Sequence, residues 1–163
     1  MSRADILQVP CLVAYAVVLL LAAWRDWQTL KIADVFPLMI IAAFAVWAAG
    51  GYVGGRTSVA EIALAAAAAL VLLVVGAAAF AAGVLGGGDV KLLAAAGLFA
   101  GPAHVVAFLM VVALVGGAVA VAVLAGVRVG PRMAEDAGLR RRLPYGPAIA
   151  AGGLWVMAAR LFA

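Results

Sequence analysis

Long apolar stretches separated by short polar segments make up most of the chain. A hydrocarbon layer about 30 Å thick needs roughly 20 apolar residues to be crossed by a helix. Gly101-Pro102 interrupts the stretch that follows Asp89, because proline lacks an amide donor and clashes with the preceding helical turn. The pattern predicts six helical segments, of which the fourth is too short to cross alone. They are residues 6–24, 35–49, 59–82, 90–100, 103–126 and 145–162.

Composition excludes the other broad classes of protein. The chain has 163 residues, 69% of them hydrophobic and 11% charged, and its mean hydropathy is +1.26. A soluble domain is about 25% charged, whereas a disordered chain has little apolar surface to bury. The sequence therefore predicts an all-α polytopic membrane protein. We expect residues 1–163 to form a single transmembrane domain with no soluble domain.

The distribution of positive charge predicts the orientation of the spans. The net charge is +4, with 11 Lys and Arg against 7 Asp and Glu, which does not suggest binding to nucleic acid. Cytoplasmic loops of membrane proteins carry an excess of Lys and Arg, so we expect both termini outside. The inner side would then hold Arg25, Lys31, Lys91, Arg128, Arg132, Arg140, Arg141 and Arg142, and the outer side Arg3, Arg56 and Arg160. The run at 140–142 is also a candidate contact for acidic membrane lipid.

Two aspartates at the predicted inner ends of spans are the strongest candidates for chemistry, because ionisable groups near a bilayer are costly. Asp26 lies just past the first segment, and Asp89 follows Gly86-Gly87-Gly88. Three consecutive glycines are poor helix formers and favour a bend. A structural interpretation remains open for each aspartate: Asp26 can pair with Arg25 or Lys31 at the interface, and Asp89 can lie in a solvated loop.

A pair of carboxyls on one membrane face suits acid–base hydrolysis. Two carboxyls in one cleft tend to share a proton. The ionised one can activate water, and the protonated one can hydrogen-bond to a peptide carbonyl. This is aspartyl-protease chemistry, and it predicts no metal and no cofactor. Cys11 is the only cysteine, which excludes an internal disulfide and a multi-cysteine zinc site.

Three segments resemble a known family, the type IV prepilin peptidases. Gly86-Gly87-Gly88-Asp89, with Lys91 two residues later, is similar to the family's G-x-G-D-x-K motif. Asp26 precedes Lys31-Ile32-Ala33-Asp34, in which Ile32 matches the family's Ile-Pro-Asn and the next two residues depart from it. Pro144-Tyr145-Gly146-Pro147 is similar to the segment that opens the family's last span. The resemblance covers nearly the whole chain.

The resemblance implies a membrane aspartic endopeptidase with Asp26 and Asp89 as catalytic residues and Asp34 as a less favoured rival to Asp26. It would remove the basic leader from prepilins or pseudopilins at the cytoplasmic face of the bacterial inner membrane. Such leaders are followed by a hydrophobic helix. The short first loop and the single cysteine resemble the peptidase-only members associated with tight-adherence (Flp) pili, which lack N-methyltransferase activity.

Two other kinds of function compete with this interpretation. One alternative is a GxGD intramembrane protease that cuts other substrates, but the first-loop aspartate and the segment at Pro144 count against it. Another is a small transporter or a non-enzymatic assembly subunit. A transporter requires polar residues at mid-membrane, and the predicted spans hold almost none.

Overall fold

The computed structural model describes residues 3–126 and 143–162, with side chains from residue 8 onward. This part of the chain is helical and contains no strand. Four of its five helices are long and apolar enough to cross a membrane, and the last is shorter but also apolar. The protein is therefore an all-helical membrane protein. The helices are α1 (Arg3–Thr29), α2 (Val35–Val53), α3 (Val59–Ala81), α4 (Gly87–Leu124) and α5 (Gly146–Phe162).

A glycine divides α4 into two halves that correspond to the fourth and fifth predicted segments. Gly101 has a φ of 56° and a ψ of −174°, a conformation that is essentially restricted to glycine. Pro102 follows and has no amide hydrogen to donate. The first half, residues 87–100, is about 21 Å long at ~1.5 Å per residue, which is shorter than the hydrocarbon layer.

The contacts on the two halves of α4 show that the chain reverses direction at Gly101. Along the first half, Val90 packs at Gly76 and Gly97 packs at Leu72, so this half is antiparallel to α3. The second half, residues 102–124, returns along α5. It brings the His104 ring within 5.9 Å of the Trp155 ring, places Phe108 against Gly152, and passes Tyr145 and Ala148 at the start of α5 with Gly116.

Aromatic rings at the centre of the bundle join α1, α2 and the first half of α4. Tyr15 and Phe99 are fully buried, and their ring centroids lie 4.3 Å apart. Phe44 meets Phe99 edge-on at 5.4 Å, a favoured geometry for aromatic pairs. The Tyr15 hydroxyl donates to the carbonyl of Ala96 at 3.4 Å, so a polar group in the core has a partner.

Adjacent glycines allow α5 to pack closely between two neighbours. A Cβ on Gly152 would lie 2.7 Å from a methyl of Val112, and one on Gly153 would overlap Leu19 and the Tyr15 ring. Small residues of this kind let helix backbones approach in membranes. The glycines therefore seat α5 between α1 and the second half of α4.

Arg160, near the end of α5, supports the break in α4. Because Gly101 is not helical and Pro102 has no N–H, carbonyls in the preceding turn lose their usual partners. Arg160 Nε donates to one of them, the carbonyl of Phe99. Its guanidinium carbon also lies 4.7 Å from the centre of the Trp47 ring, a cation–π distance.

The predicted segments are correct in order and type, but several bounds differ. The first helix begins at Arg3 rather than Ile6, and the second ends at Val53 rather than Ala49. The first helix does not end at Trp24 but continues to Thr29, so Asp26 lies inside α1 rather than past it. The polar residues in this extension do not break a helix, and the end comes only where Leu30 adopts a φ of 52°. The fourth segment begins at Gly87 rather than Val90. Arg128, Arg132 and Arg140–142 lie outside the described residues.

We predict that Gly101→Ala lowers the melting temperature of the purified protein in detergent. A Cβ at Gly101 meets only ordinary contacts, 3.5 Å or more away, so the cost comes from the backbone conformation and amounts to about 1–3 kcal/mol. Gly117→Ala is the matched control, since Gly117 is helical with open space around it and alanine is the better helix former. Equal melting temperatures for the two variants would show that the break does not depend on glycine.

Candidate functional site

Asp26 lies in the last turns of α1 and is the one charged side chain that is buried among the described residues, with 4% of its surface exposed. Its Oδ2 accepts a hydrogen bond from the backbone N–H of Gly146 at 2.8 Å. This contact replaces the pairing with Arg25 or Lys31 that a simple interfacial role would require. A buried carboxylate without such a partner would be costly.

Gly146 is the first residue of α5, so the N-terminus of that helix points at Asp26. Free N–H groups and the positive end of the helix dipole favour an acidic neighbour there. The approach requires glycine, because a Cβ on Gly146 would lie 2.7 Å from the Cβ of Asp26 and 2.9 Å from its Oδ2.

The residues around Gly146 fix the start of α5. Pro144 is fully buried, and the Tyr145 carbonyl accepts from the N–H of Ile149 at 3.0 Å, which closes the first helical turn. Pro147 lies in that turn, where a missing N–H leaves no helical bond unmade. The Pro144–Pro147 segment predicted from the sequence therefore positions the amide that holds Asp26.

Asp89 occupies the first turn of α4, at the same end of the bundle. Its Oδ2 accepts a hydrogen bond from the N–H of Gly86 at 3.2 Å, as the acidic member of a capping box does. The predicted bend at the three glycines is wrong in detail. Gly86 is extended, with a φ of −77°, and Gly87 and Gly88 already belong to α4. The hydrogen bond from the Gly86 N–H to Asp89 stabilises the first turn of α4, and this offsets the poor helix propensity of Gly87 and Gly88.

The α1–α2 connection, residues 30–34, contacts α4 on both sides of Asp89. A Cβ on Gly88 would lie 2.9 Å from the backbone oxygen of Ile32 and 3.0 Å from its Cβ, so the two segments touch there. Beyond Asp89, Lys91 Nζ donates to Asp34 Oδ1 at 2.8 Å. This connection begins four residues after Asp26. The structure therefore brings Asp89 to the end of α1 that carries Asp26.

Asp34 differs from Asp26 in its surroundings. Its side chain is 67% exposed and forms an ion pair with Lys91, which is 51% exposed. An exposed pair of this kind contributes at most about 1 kcal/mol to stability. The pair ties the α1–α2 connection to α4, and it leaves Asp26 as the buried carboxyl at this end.

Two residues that sequence reasoning missed shape the same connection. Leu30 has a positive φ of 52°, which costs a non-glycine residue roughly 1–2 kcal/mol. The Thr29 hydroxyl lies 2.8 Å from the carbonyl of Arg25 and 3.2 Å from that of Lys31, within reach of both sides of the turn. Leucine carries no sequence signal for a left-handed conformation, so this turn could not have been found from the sequence.

The arrangement offers two carboxyls framed by the N-termini of α4 and α5. Across residues 3–126 and 143–162, no group of three or more His, Cys, Asp or Glu side chains is placed to hold a metal ion. The chemistry that these groups themselves can perform is proton transfer, with each carboxyl held by a backbone amide.

Comparison with known proteins identifies the family of the chain. No curated protein and no solved structure matches the chain. Residues 13–121, more than half of the chain, match the model of the type IV leader peptidase family. The matched region contains both Asp26 and Asp89, and the chain belongs to the type IV leader peptidase family.

Proposed function

We propose that this peptidase is an aspartic endopeptidase that removes the leader from prepilins or pseudopilins, with Asp26 and Asp89 as its catalytic residues. The observation that carries the proposal is that Asp26 is buried and accepts a hydrogen bond from Gly146. At the same end of the bundle, Gly88 and Lys91, on either side of Asp89, contact the α1–α2 connection. Membership of the leader peptidase family supports the substrate class.

In the proposed reaction, one carboxylate takes a proton from a water molecule as the water oxygen attacks the scissile carbonyl carbon. The other carboxyl, protonated, donates a hydrogen bond to the carbonyl oxygen. The tetrahedral intermediate then collapses with transfer of a proton to the leaving amine. Because two coupled carboxyls titrate as a pair, the roles of base and acid are assigned to the pair Asp26 and Asp89 and not to either residue separately.

The proposed location is the bacterial inner membrane, with the aspartates facing the cytoplasm. Arg25, Lys31 and Lys91 lie at the same end of the bundle as Asp26, whereas Arg56 and Arg160 belong to the opposite end. This distribution fits the excess of basic residues that cytoplasmic loops carry.

The proposed enzyme is a peptidase without methyltransferase activity, as in the members associated with tight-adherence pili. The α1–α2 connection consists of residues 30–34 only. A connection of this length leaves no room for an inserted domain that binds a methyl donor.

We predict that Asp26→Asn and Asp89→Asn each lower the rate of leader removal by roughly 10²–10⁴-fold, the contribution of acid–base catalysis. Asparagine keeps an oxygen that accepts hydrogen bonds, so the Asp26→Asn side chain can still accept from Gly146 and the protein should insert normally. Cleavage of a purified leader-bearing prepilin, followed by gel shift at matched protein levels, measures the loss.

Asp34→Asn is the control for the two aspartate variants. It removes an exposed charge from the α1–α2 connection and leaves the buried Asp26 unchanged, so near-wild-type cleavage is expected. Loss of activity in Asp34→Asn together with retained activity in Asp26→Asn would mean that the first catalytic aspartate is Asp34.

We predict that Gly88→Ala lowers kcat/KM by roughly 100-fold, the effect of about 1 Å of misplacement in an active site. The new Cβ would lie 2.9 Å from the Ile32 backbone oxygen, so either the connection or the first turn of α4 has to move. Gly87→Ala is the matched control, because its Cβ would lie 3.6 Å from the Phe80 ring, an ordinary contact. Equal activities of the two variants would contradict a role for the fit between Gly88 and Ile32.

We predict that pilin processed by this enzyme alone carries an unmethylated N-terminus. Mass spectrometry of the mature N-terminal peptide, from a host without another enzyme of this kind, tests it. A peptide heavier by one methyl group would show that the chain methylates its product despite its short first connection.

A further inference from the structure

A cavity lies beside the break in α4, at the end of the bundle opposite Asp26. Its volume is about 350 Å³, which is within the range of small-ligand sites. All five helices contribute to it, and its lining contains no residue of the candidate active site. The polar residues of the lining include Gln8, Trp47, Thr57, Glu61, His104 and Arg160.

The Arg160 guanidinium forms part of the cavity wall and is held there by two contacts. Its Nε donates to the carbonyl of Phe99, and its Cζ lies 4.7 Å from the centre of the Trp47 ring. Among the described residues, no hydrogen bond or ion pair uses its terminal nitrogens, Nη1 and Nη2. The fork of N–H groups in arginine matches the oxygens of a phosphate. The cavity therefore contains a fixed cation that can donate to a ligand.

Uncharged donors line the same cavity. The Nε1 atom of Trp47 is buried and has no hydrogen-bond partner within the described part of the chain. An indole nitrogen can only donate, and a buried donor without an acceptor is costly. The Thr57 hydroxyl and the Gln8 amide lie together, since a Cβ on Gly51 would meet both. The lining is thus rich in donors, and a ligand with several acceptor oxygens would complement it.

The carboxylate of Glu61 does not neutralise this lining. Its Oε2 accepts from the Ser58 N–H at 2.7 Å and from the Ser58 hydroxyl at 3.1 Å, in the capping box that starts α3. No ion pair joins Glu61 to Arg160 in the described residues. Arg56 also lines the cavity. The lining therefore holds two guanidinium groups and one carboxylate, a balance that favours an anion.

We propose that this cavity binds a phosphate group, with the Arg160 guanidinium as the main contact and the Trp47 indole as a further donor. A phosphate supplies the negative charge and the acceptor oxygens that the lining calls for. Basic pockets between membrane helices bind phospholipid headgroups, and this cavity lies near the helix ends, where headgroups lie. The phosphate belongs either to such a headgroup or to the solution. The proposal does not rest on the peptidase activity.

The melting temperature of the purified full chain in detergent measures binding, because a ligand that binds only the folded state stabilises it. The probes are phosphatidylglycerol, a diacylglycerol with the same acyl chains but no phosphate, and inorganic phosphate compared with chloride at equal ionic strength. We expect phosphatidylglycerol to raise the melting temperature and the diacylglycerol to leave it unchanged. An equal rise with inorganic phosphate would assign the site to free phosphate, and a rise with phosphatidylglycerol alone would assign it to a lipid headgroup.

Two variants locate the site. Arg160→Gln should weaken the affinity for the bound probe by at least about tenfold, the effect of losing one charge-assisted hydrogen bond. Arg25→Gln is the matched control, because it removes the same charge from an exposed arginine at the other end of the bundle, and it should bind like the wild type. Since Arg160 also supports the break in α4, Trp47→Phe is the second variant. It keeps an aromatic ring beside Arg160, removes the unpartnered N–H, and should weaken the affinity at least about threefold.

Four results would overturn the proposal. Equal stabilisation by phosphatidylglycerol and the diacylglycerol would mean that acyl chains alone account for the effect. No stabilisation by phosphatidylglycerol or inorganic phosphate would mean that water alone fills the cavity. Unchanged affinity in Arg160→Gln, or in Trp47→Phe where the first variant does not fold, would place the bound phosphate elsewhere. An equal loss of affinity in Arg25→Gln would show a general effect of positive charge.

Discussion

The hydrogen bond between the Asp26 carboxyl and the N–H of Gly146 sets the geometry of the end of the bundle that carries the candidate site. A carboxyl buried at the end of a membrane bundle needs a donor, and the start of α5 supplies one at 2.8 Å across 120 residues of sequence. Because the contact excludes any side chain at Gly146, it fixes how closely α5 approaches α1. The position of α5 in turn requires the two glycines that let it pack between α1 and α4.

The reversal at Gly101 makes this arrangement possible in a short chain. The first half of α4 carries Asp89 at its start and packs into the aromatic core through Phe99. The second half returns to the end of the bundle that carries Asp26, where a Cβ on Gly116 would lie 3.6 Å from the Tyr145 ring, next to the residues that open α5. Arg160 then binds the carbonyl of Phe99 at the opposite end. The break in α4 and the candidate site are thus linked through the two ends of α5.

Hydrophobicity, together with the Gly101-Pro102 interruption, predicted the order and approximate bounds of the helices, since each span must bury an apolar stretch in lipid. The end of α1 was predicted too early because polar residues end an apolar stretch without ending a helix. The sequence indicated that Asp26, Asp89 and the Pro144–Pro147 segment belong together, but through motif resemblance. Their contact depends on a backbone amide and a missing Cβ, and neither leaves a pattern along the chain. The left-handed conformation of Leu30 likewise leaves no pattern in the sequence, because leucine does not favour it.

The central claim is that Asp26 and Asp89 act as one catalytic unit, and the most direct measurement is the cleavage rate of the double variant Asp26→Asn/Asp89→Asn beside the two single variants. Residues that act as a unit are strongly non-additive. The account predicts that the double variant is no slower than the slower single variant, with all three inserted at wild-type levels. A double variant whose rate loss is the product of the two single losses would show that the aspartates act independently and would contradict the account.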